Sequence, residues 1–135
     1  MLRGGWLHTG DLARADEDGY LYFVDRKKDM IKSGGGENVF SLEVEMALLA
    51  ANPELAEAAV LGVPPDDRWG EAVTAFVTFR DGRACDTAEL VQRTRHHLAG
   101  YKLPKTVHVR EELPKNVSGK VLKRVLRADL LGGTA

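Results

Sequence analysis

Two dense apolar runs, Ala58–Val63 and Ala72–Phe79, do most to limit what this chain can become. Both are too short for helices of ordinary length, and the second alternates β-branched and aromatic residues, so both read as buried strands. Pro64-Pro65 stops the first, because proline donates no ladder hydrogen bond. Buried strands need helices to cover them. Leu42–Ala51 supplies one, with Ser41 as its cap and Val44, Leu48 and Ala51 on one face beside Leu42, Met46 and Leu49. Thr87–Leu98 supplies a second, ended by Gly100. A third follows Ser118, its stripe made by Val121, Leu122, Val125, Leu126 and Leu130. Leu21–Val24 and Lys105–Val109 read as further strands, and Met1–Asp18 as loop. The order predicts an α+β domain with a small sheet covered by helices.

At 135 residues, 44 % apolar and 29 % charged, the chain can pack one core, as a single domain or a small domain with a tail. Its one cysteine, Cys85, excludes an internal disulfide and paired-cysteine zinc sites. No apolar run approaches a membrane span, and residues 1–30 lack a secretory signal pattern. The expectation is a cytoplasmic protein. The histidines have no metal-ligand spacing, so no metal site is expected. A net charge of −1 argues against a polycation that binds nucleic acid along its whole length.

Charge is unevenly placed. Between Tyr101 and Arg127 eight basic residues face only Glu111 and Glu112, leaving +6 there and −7 elsewhere. Such a stretch suits a nucleotide or another polyanion, or is simply a solvated face.

Three loops could carry chemistry. In His8-Thr9-Gly10-Asp11 the carboxylate beside a glycine turn can accept from two ligand hydroxyls, although a plain turn capped by Asp11 has the same pattern. In Asp25–Asn38, Arg26, Lys28 and Lys32 surround Ser33-Gly34-Gly35-Gly36, where glycines allow close approach to a ligand. This segment could also hinge, or be a charged turn. In Pro114–Lys120 a lysine ends a loop before a helix, as a catalytic charge or a surface one.

Taken in order, these segments resemble the adenylate-forming enzymes, which include acyl-CoA synthetases, peptide-synthetase adenylation domains and luciferases. Gly5-Trp6-Leu7-His8-Thr9-Gly10-Asp11 resembles their ribose-binding segment, and Asp25–Gly35 their hinge and glycine loop. Glu37-Asn38-Val39 and Glu43-Val44-Glu45 continue the likeness. Pro64–Val73, with Trp69-Gly70-Glu71-Ala72, looks like the acyl-CoA synthetase branch. Gly100–Lys105 and Pro114–Lys120 complete the set, which covers almost the whole chain.

The resemblance implies a small C-terminal lid with a short mixed or antiparallel sheet of about three strands flanked by helices, after a loop and β-ribbon tail. Residues 1–25 would end an N-terminal adenylation domain, and residues 26–135 would be the mobile lid. The implied reaction joins a carboxylate to ATP, giving an acyl-adenylate and pyrophosphate, after which the lid rotates and CoA attacks to give a thioester and AMP. By position, Lys120 would be the adenylation lysine. Asp11 and Arg26 would bind the nucleotide, and Lys28 would be the hinge. Ser33, Gly34, Gly35 and Gly36 would face the pantetheine of CoA.

The implied partners are the chain's own N-terminal domain, a carboxylic acid, ATP with magnesium held mainly by that domain, and CoA. Nucleic acid is not among them. Alone, the chain is expected to be inactive, and its uncovered face to favour self-association. One departure is the run of three glycines, Gly34 to Gly36, where the family usually has two or a glycine and another residue. A peptide-synthetase or aryl-acid lid is the nearest alternative, a small nucleotide- or RNA-binding module a more distant one, and a decayed fragment a third.

Overall fold

The computed structural model describes residues 2–3, 6–7, 11–15, 17–18, 21–26, 30–33, 36–63, 70–81 and 83–130, with the strands before residue 27 described by their backbone. β1 (Leu2–Arg3) pairs with β2 (Trp6–Leu7), and β3 (Asp11–Ala15) pairs antiparallel with β4 (Leu21–Arg26). The expected opening loop therefore contains strands. Backbone pairing makes them, and it leaves no apolar period in so short a stretch.

β5 (Met30–Lys32) and β6 (Asn38–Phe40) form a third antiparallel pair, flanking the glycine loop. Its centre is the cross-strand pair Ile31 and Val39, both fully buried. α1 (Ser41–Ala51) starts directly from β6, so Phe40, not Ser41, is the residue before the helix, and it makes no side-chain cap. The buried face of α1 is Ser41, Val44, Ala47 and Leu48. Met46 and Leu49, expected beside that face, are exposed by 61 % and 39 %.

β7 (Leu55–Val63) and β8 (Ala72–Phe79) are antiparallel. α2 (Thr87–Thr94) begins at Asp86, whose carboxylate accepts from Ala88 N at 3.0 Å. It ends four residues before the expected Leu98. There Thr94 Oγ1 donates back to Leu90 O at 2.7 Å and the chain turns. β9 (Thr106–Val109) joins β8 in parallel, giving a mixed three-stranded sheet in the order β7-β8-β9. α3 (Lys123–Leu130) closes the described chain.

Alternation along β7 and β8 gives the sheet two apolar faces. On one face Leu55, Val60, Val73, Ala75 and Val77 pack with Ile31, Val39, Val44, Leu48 and Leu90, from the β5–β6 hairpin, α1 and α2. On the other, Ala59, Leu61 and Phe76 pack with Leu113 and Leu126, with Val121 and Leu130 at the margin. Buried Asn52 ties α1 to α2, its Nδ2 lying 2.9 Å from Leu48 O, 3.3 Å from Leu90 O and 3.2 Å from Thr94 Oγ1.

His108 stacks on Phe76 at 5.0 Å between ring centroids, and the Arg110 guanidinium lies 5.2 Å from the same ring. Burial first, and Arg110 second, push the His108 pKa below the ordinary histidine value. The unfolded chain therefore binds this proton more readily than the folded one. Stability is expected to fall as pH drops through about 6.5 toward the lower folded value. His108→Gln should flatten that slope in urea melts between pH 7 and pH 5.

Candidate functional site

Lys120 ends a tight loop whose shape is set by Asn116. Asn116 Oδ1 accepts from Ser118 N at 3.0 Å, Ser118 Oγ at 2.7 Å and Lys120 N at 2.9 Å. Asn116 N donates to Lys120 O at 2.9 Å, and Lys115 pairs with Val121. Gly119 turns the chain with φ of +88°, a backbone region that glycine enters without strain. The loop thus closes as a small β-turn before α3. This corrects the expectation that Ser118 caps the helix and that Lys120 lies at its N-terminus. Asn116 takes the bonds a helix would have taken.

Lys120 is exposed and has no ion-pair partner among the described residues. Removing the Asn116 amide should loosen this loop without unfolding the domain. A net bond is worth about 1 kcal/mol, so Asn116→Ala is expected to speed amide exchange at Ser118 and Lys120 by about fivefold. Exchange measured by NMR checks this.

The loop is anchored from behind. Lys123 Nζ lies 2.8 Å from Glu45 Oε2 and 3.1 Å from Ser41 Oγ, joining the start of α3 to the first turns of α1. Glu45 Oε2 also accepts from Val60 N at 2.8 Å. That contact satisfies a donor on the outer edge of β7, which would otherwise stand unpaired. Lys115 Nζ meets Glu57 Oε2 at 2.9 Å, fixing the loop's base to β7.

The glycine loop sits elsewhere. Ser33 N donates to Glu37 O and Gly36 N to Ser33 O, each at 3.0 Å, and Ser33 Oγ reaches Glu37 Oε2 at 3.2 Å. Gly36 has φ of +89°, and a Cβ added there would meet nothing within 4 Å among the described residues. Glu71 clasps the base. Its N donates to Lys32 O at 2.8 Å, and its Oε1 accepts from Lys32 N at 3.1 Å.

Asp11 and Arg26 are cross-strand partners in the β3–β4 ribbon. The fold therefore brings the two expected nucleotide-binding positions side by side in backbone terms. Their side chains, and Lys28, Gly34, Gly35 and Trp69, lie outside the described residues.

Half of the eight cations in the basic stretch are paired with carboxylates elsewhere in the chain. Lys102 Nζ pairs with Glu43 at 2.7 Å, which raises the lysine pKa. Lys115 and Lys123 pair with Glu57 and Glu45, and Arg110 lies 3.9 Å from Asp129. Lys105, Lys120 and Arg124 are the exposed cations of this stretch without an ion pair among the described residues. Three of the eight cations thus tie the C-terminal segment to α1 and β7. Sequence spacing could not show this, because the partners lie 58 and 59 positions away in the chain.

Cys85 is half-buried, and burial first, with Glu54 next, raises its thiol pKa, which opposes a nucleophilic role. Among the described residues no cluster of histidine, cysteine and carboxylates could hold a metal ion, and no helix is long and apolar enough to cross a membrane.

A small mixed sheet with helices on both faces and two structured loops defines a lid-type α+β domain. Residues 43–120 match the AMP-binding enzyme C-terminal domain family, and the chain belongs to that family. It is 50 % identical over 127 residues to a feruloyl-CoA synthase from an Amycolatopsis species, covering 94 % of this chain and 25 % of that protein. It is 48 % identical over 132 residues to a long-chain-fatty-acid–CoA ligase from Salmonella typhimurium, covering 98 % and 23 %. A solved o-succinylbenzoate CoA synthetase from Bacillus subtilis, in complex with its acyl-adenylate intermediate, superposes with a TM-score of 0.84 at 40 % identity, covering 93 % and 25 %. The chain thus spans about a quarter of the length of the curated relatives it matches.

Proposed function

We propose that this chain is the swinging lid of an ATP-dependent acid–CoA ligase, with residues 1–25 belonging to the end of the preceding adenylation domain and residues 26–135 forming the lid. One observation carries the reading. The two loops of chemical interest are built on opposite faces of one sheet. The glycine loop rises from the hairpin that buries Ile31 and Val39 on the α1–α2 face. The Lys120 loop lies between Leu113 and Val121, which pack on the α3 face. Their bases also sit toward opposite ends of β7, at Glu57 and at Gly62, about 17 Å apart at ~3.4 Å per residue. A single rigid unit cannot offer both loops to one active site at once. It must turn between two steps, as lids do.

The chemistry follows from that turn. In the first step the Lys120 ammonium holds the attacking carboxylate against the α-phosphate of ATP and neutralises charge developing on its oxygens. Pyrophosphate leaves. Asp11 and Arg26, adjacent on their ribbon, hold the nucleotide, and Lys28 takes up the hinge rotation. In the second step Lys120 is withdrawn, and the loop of Ser33, Gly34, Gly35 and Gly36 lines the pantetheine path. The CoA sulfur then attacks the acyl carbonyl and AMP leaves. Magnesium travels with ATP and is held mainly by the preceding domain.

The acid is not chosen by this chain. Relatives named for feruloyl, long-chain-fatty and o-succinylbenzoyl acids share 40–50 % of its residues across nearly its whole length. Activity requires the preceding domain, and the chain alone is expected to make no thioester.

The test is an assay of the two-domain protein for carboxylate-dependent pyrophosphate release and for CoA thioester formation. Both are expected. Transfer to a carrier protein but not to free CoA would replace this reading with a peptide-synthetase lid. Thioester formation by the isolated chain would overturn the division of labour.

A further inference from the structure

Glu71 occupies an unusual position for a carboxylate. Among the described residues it has no ion pair, and its Oε1 is spent on a backbone amide, Lys32 N, at 3.1 Å. With Glu71 N on Lys32 O at 2.8 Å, it grips both backbone groups of the residue that enters the glycine loop. Ser33, the first loop residue, pairs with Glu71 as an isolated bridge.

This grip depends on Gly62. A Cβ at position 62 would lie 2.7 Å from Glu71 Cδ, 2.8 Å from Glu71 Oε1 and 2.9 Å from Ile31 Cγ2. The carboxylate therefore lies flat over a backbone that has no side chain. From α3, Arg127 donates through both Nε and Nη2 to Gly62 O, each at 3.2 Å. The other end of α3 is pinned near the Lys120 loop by Lys123. One chain of contacts thus runs from the Lys120 side through α3, Arg127 and Gly62 to Glu71 and the glycine loop.

We propose that Glu71 is a positioning residue for the thiol-transfer step, setting the entry to the glycine loop through Lys32, with Gly62 and Arg127 as its seat. The proposal rests on the lid reading above. Glu71 touches no reacting atom. It acts through backbone that must stand in a fixed place once the lid has turned.

The experiment measures the half-reactions of the two-domain enzyme separately: pyrophosphate release on adenylation, and thioester formation from supplied acyl-adenylate and CoA. A misplacement near 1 Å can cost about 100-fold, so Glu71→Ala is expected to slow thioester formation by about tenfold or more and to leave adenylation within about twofold. Glu71→Gln should restore most of the loss, because its amide oxygen can still accept from Lys32 N. Gly62→Ala should slow the same step, its Cβ displacing both the Glu71 carboxylate and Ile31 at the base of the hairpin.

Equal loss in both half-reactions, tracking a fall in melting temperature, would make Glu71 merely structural and overturn the proposal. No loss in either, or no rescue by glutamine, would overturn it as well. If the unsubstituted enzyme forms no CoA thioester, the lid reading falls and takes this proposal with it. If it forms one and only the variants depart from expectation, the proposal alone falls.

Discussion

Lys120→Ala in the two-domain enzyme is expected to lower carboxylate-dependent pyrophosphate release by about 10²–10³, the scale for removing one preorganised group from a site of developing charge. Thioester formation from supplied acyl-adenylate should stay within about twofold, because the proposed rotation takes Lys120 away before CoA attacks. The selectivity matters more than the size. Lys120 is exposed and its loop is shaped by the Asn116 side chain and by backbone, so truncation leaves the loop's hydrogen bonds in place. Melting temperature should not move. Lys120→Arg would keep the charge but replace a compact ammonium with a planar fork, and should recover little. If both half-reactions survive Lys120→Ala, Lys120 is a surface lysine and the site assignment fails.

Phe76→Ala should have the largest effect on stability. Phe76 is fully buried at the centre of the sheet's second face, among Ala59, Leu61, Leu113 and Leu126. It is also the platform for His108 and Arg110. Deleting a buried phenyl ring costs about 3–5 kcal/mol, a large share of the roughly 5–15 kcal/mol that holds a domain together. Urea unfolding should show that loss. Phe76→Leu keeps most of the volume and should cost about 1 kcal/mol, plus what the stacked pair contributes. Because Leu113 and Leu126 flank the Lys120 loop in the chain, the alanine variant should loosen the loop's base as well. A variant as stable as the parent would show that α3 can close over the cavity.

The strands that bury both faces were legible in the sequence. Ala72–Phe79 came out with the expected ends because a fully buried strand is apolar at nearly every position. α1 was legible as an element, but its exposed residues were not. Val44 and Leu48 are buried as expected, but Met46 and Leu49 are equally apolar, and only packing shows that Ala47 joins the buried face while they stay exposed. The hairpin β5–β6 was hidden because three glycines and a run of charges mask two three-residue strands whose apolar signal is only Met30 against Phe40 and Ile31 against Val39. α3 was placed too early because Ser118 looks like a cap until Asn116 is seen to take its amide.

The candidate site divides the same way. Motif order along the chain marked Lys120, Asp11, Arg26 and the glycine loop as candidates, since each is a short local pattern. Composition alone suggested a basic, polyanion-seeking tail. Tertiary structure offsets three of those eight cations by pairing them with Glu43, Glu45 and Glu57.

The sequence by itself determined the class of fold and the family, and it marked the candidate site residues, because these follow from local periodicity and from residue types at fixed spacing. Only the tertiary structure decided that the residues flanking the two loops pack on opposite faces of one sheet, that Asn116 shapes the Lys120 loop, and that Glu71 grips Lys32 over the bare backbone of Gly62. The physical reason is range. Propensity and spacing act over a few residues, whereas the bond between Glu71 and Lys32 spans 39 positions and that between Arg127 and Gly62 spans 65. Such contacts exist only after the sheet has brought distant segments together.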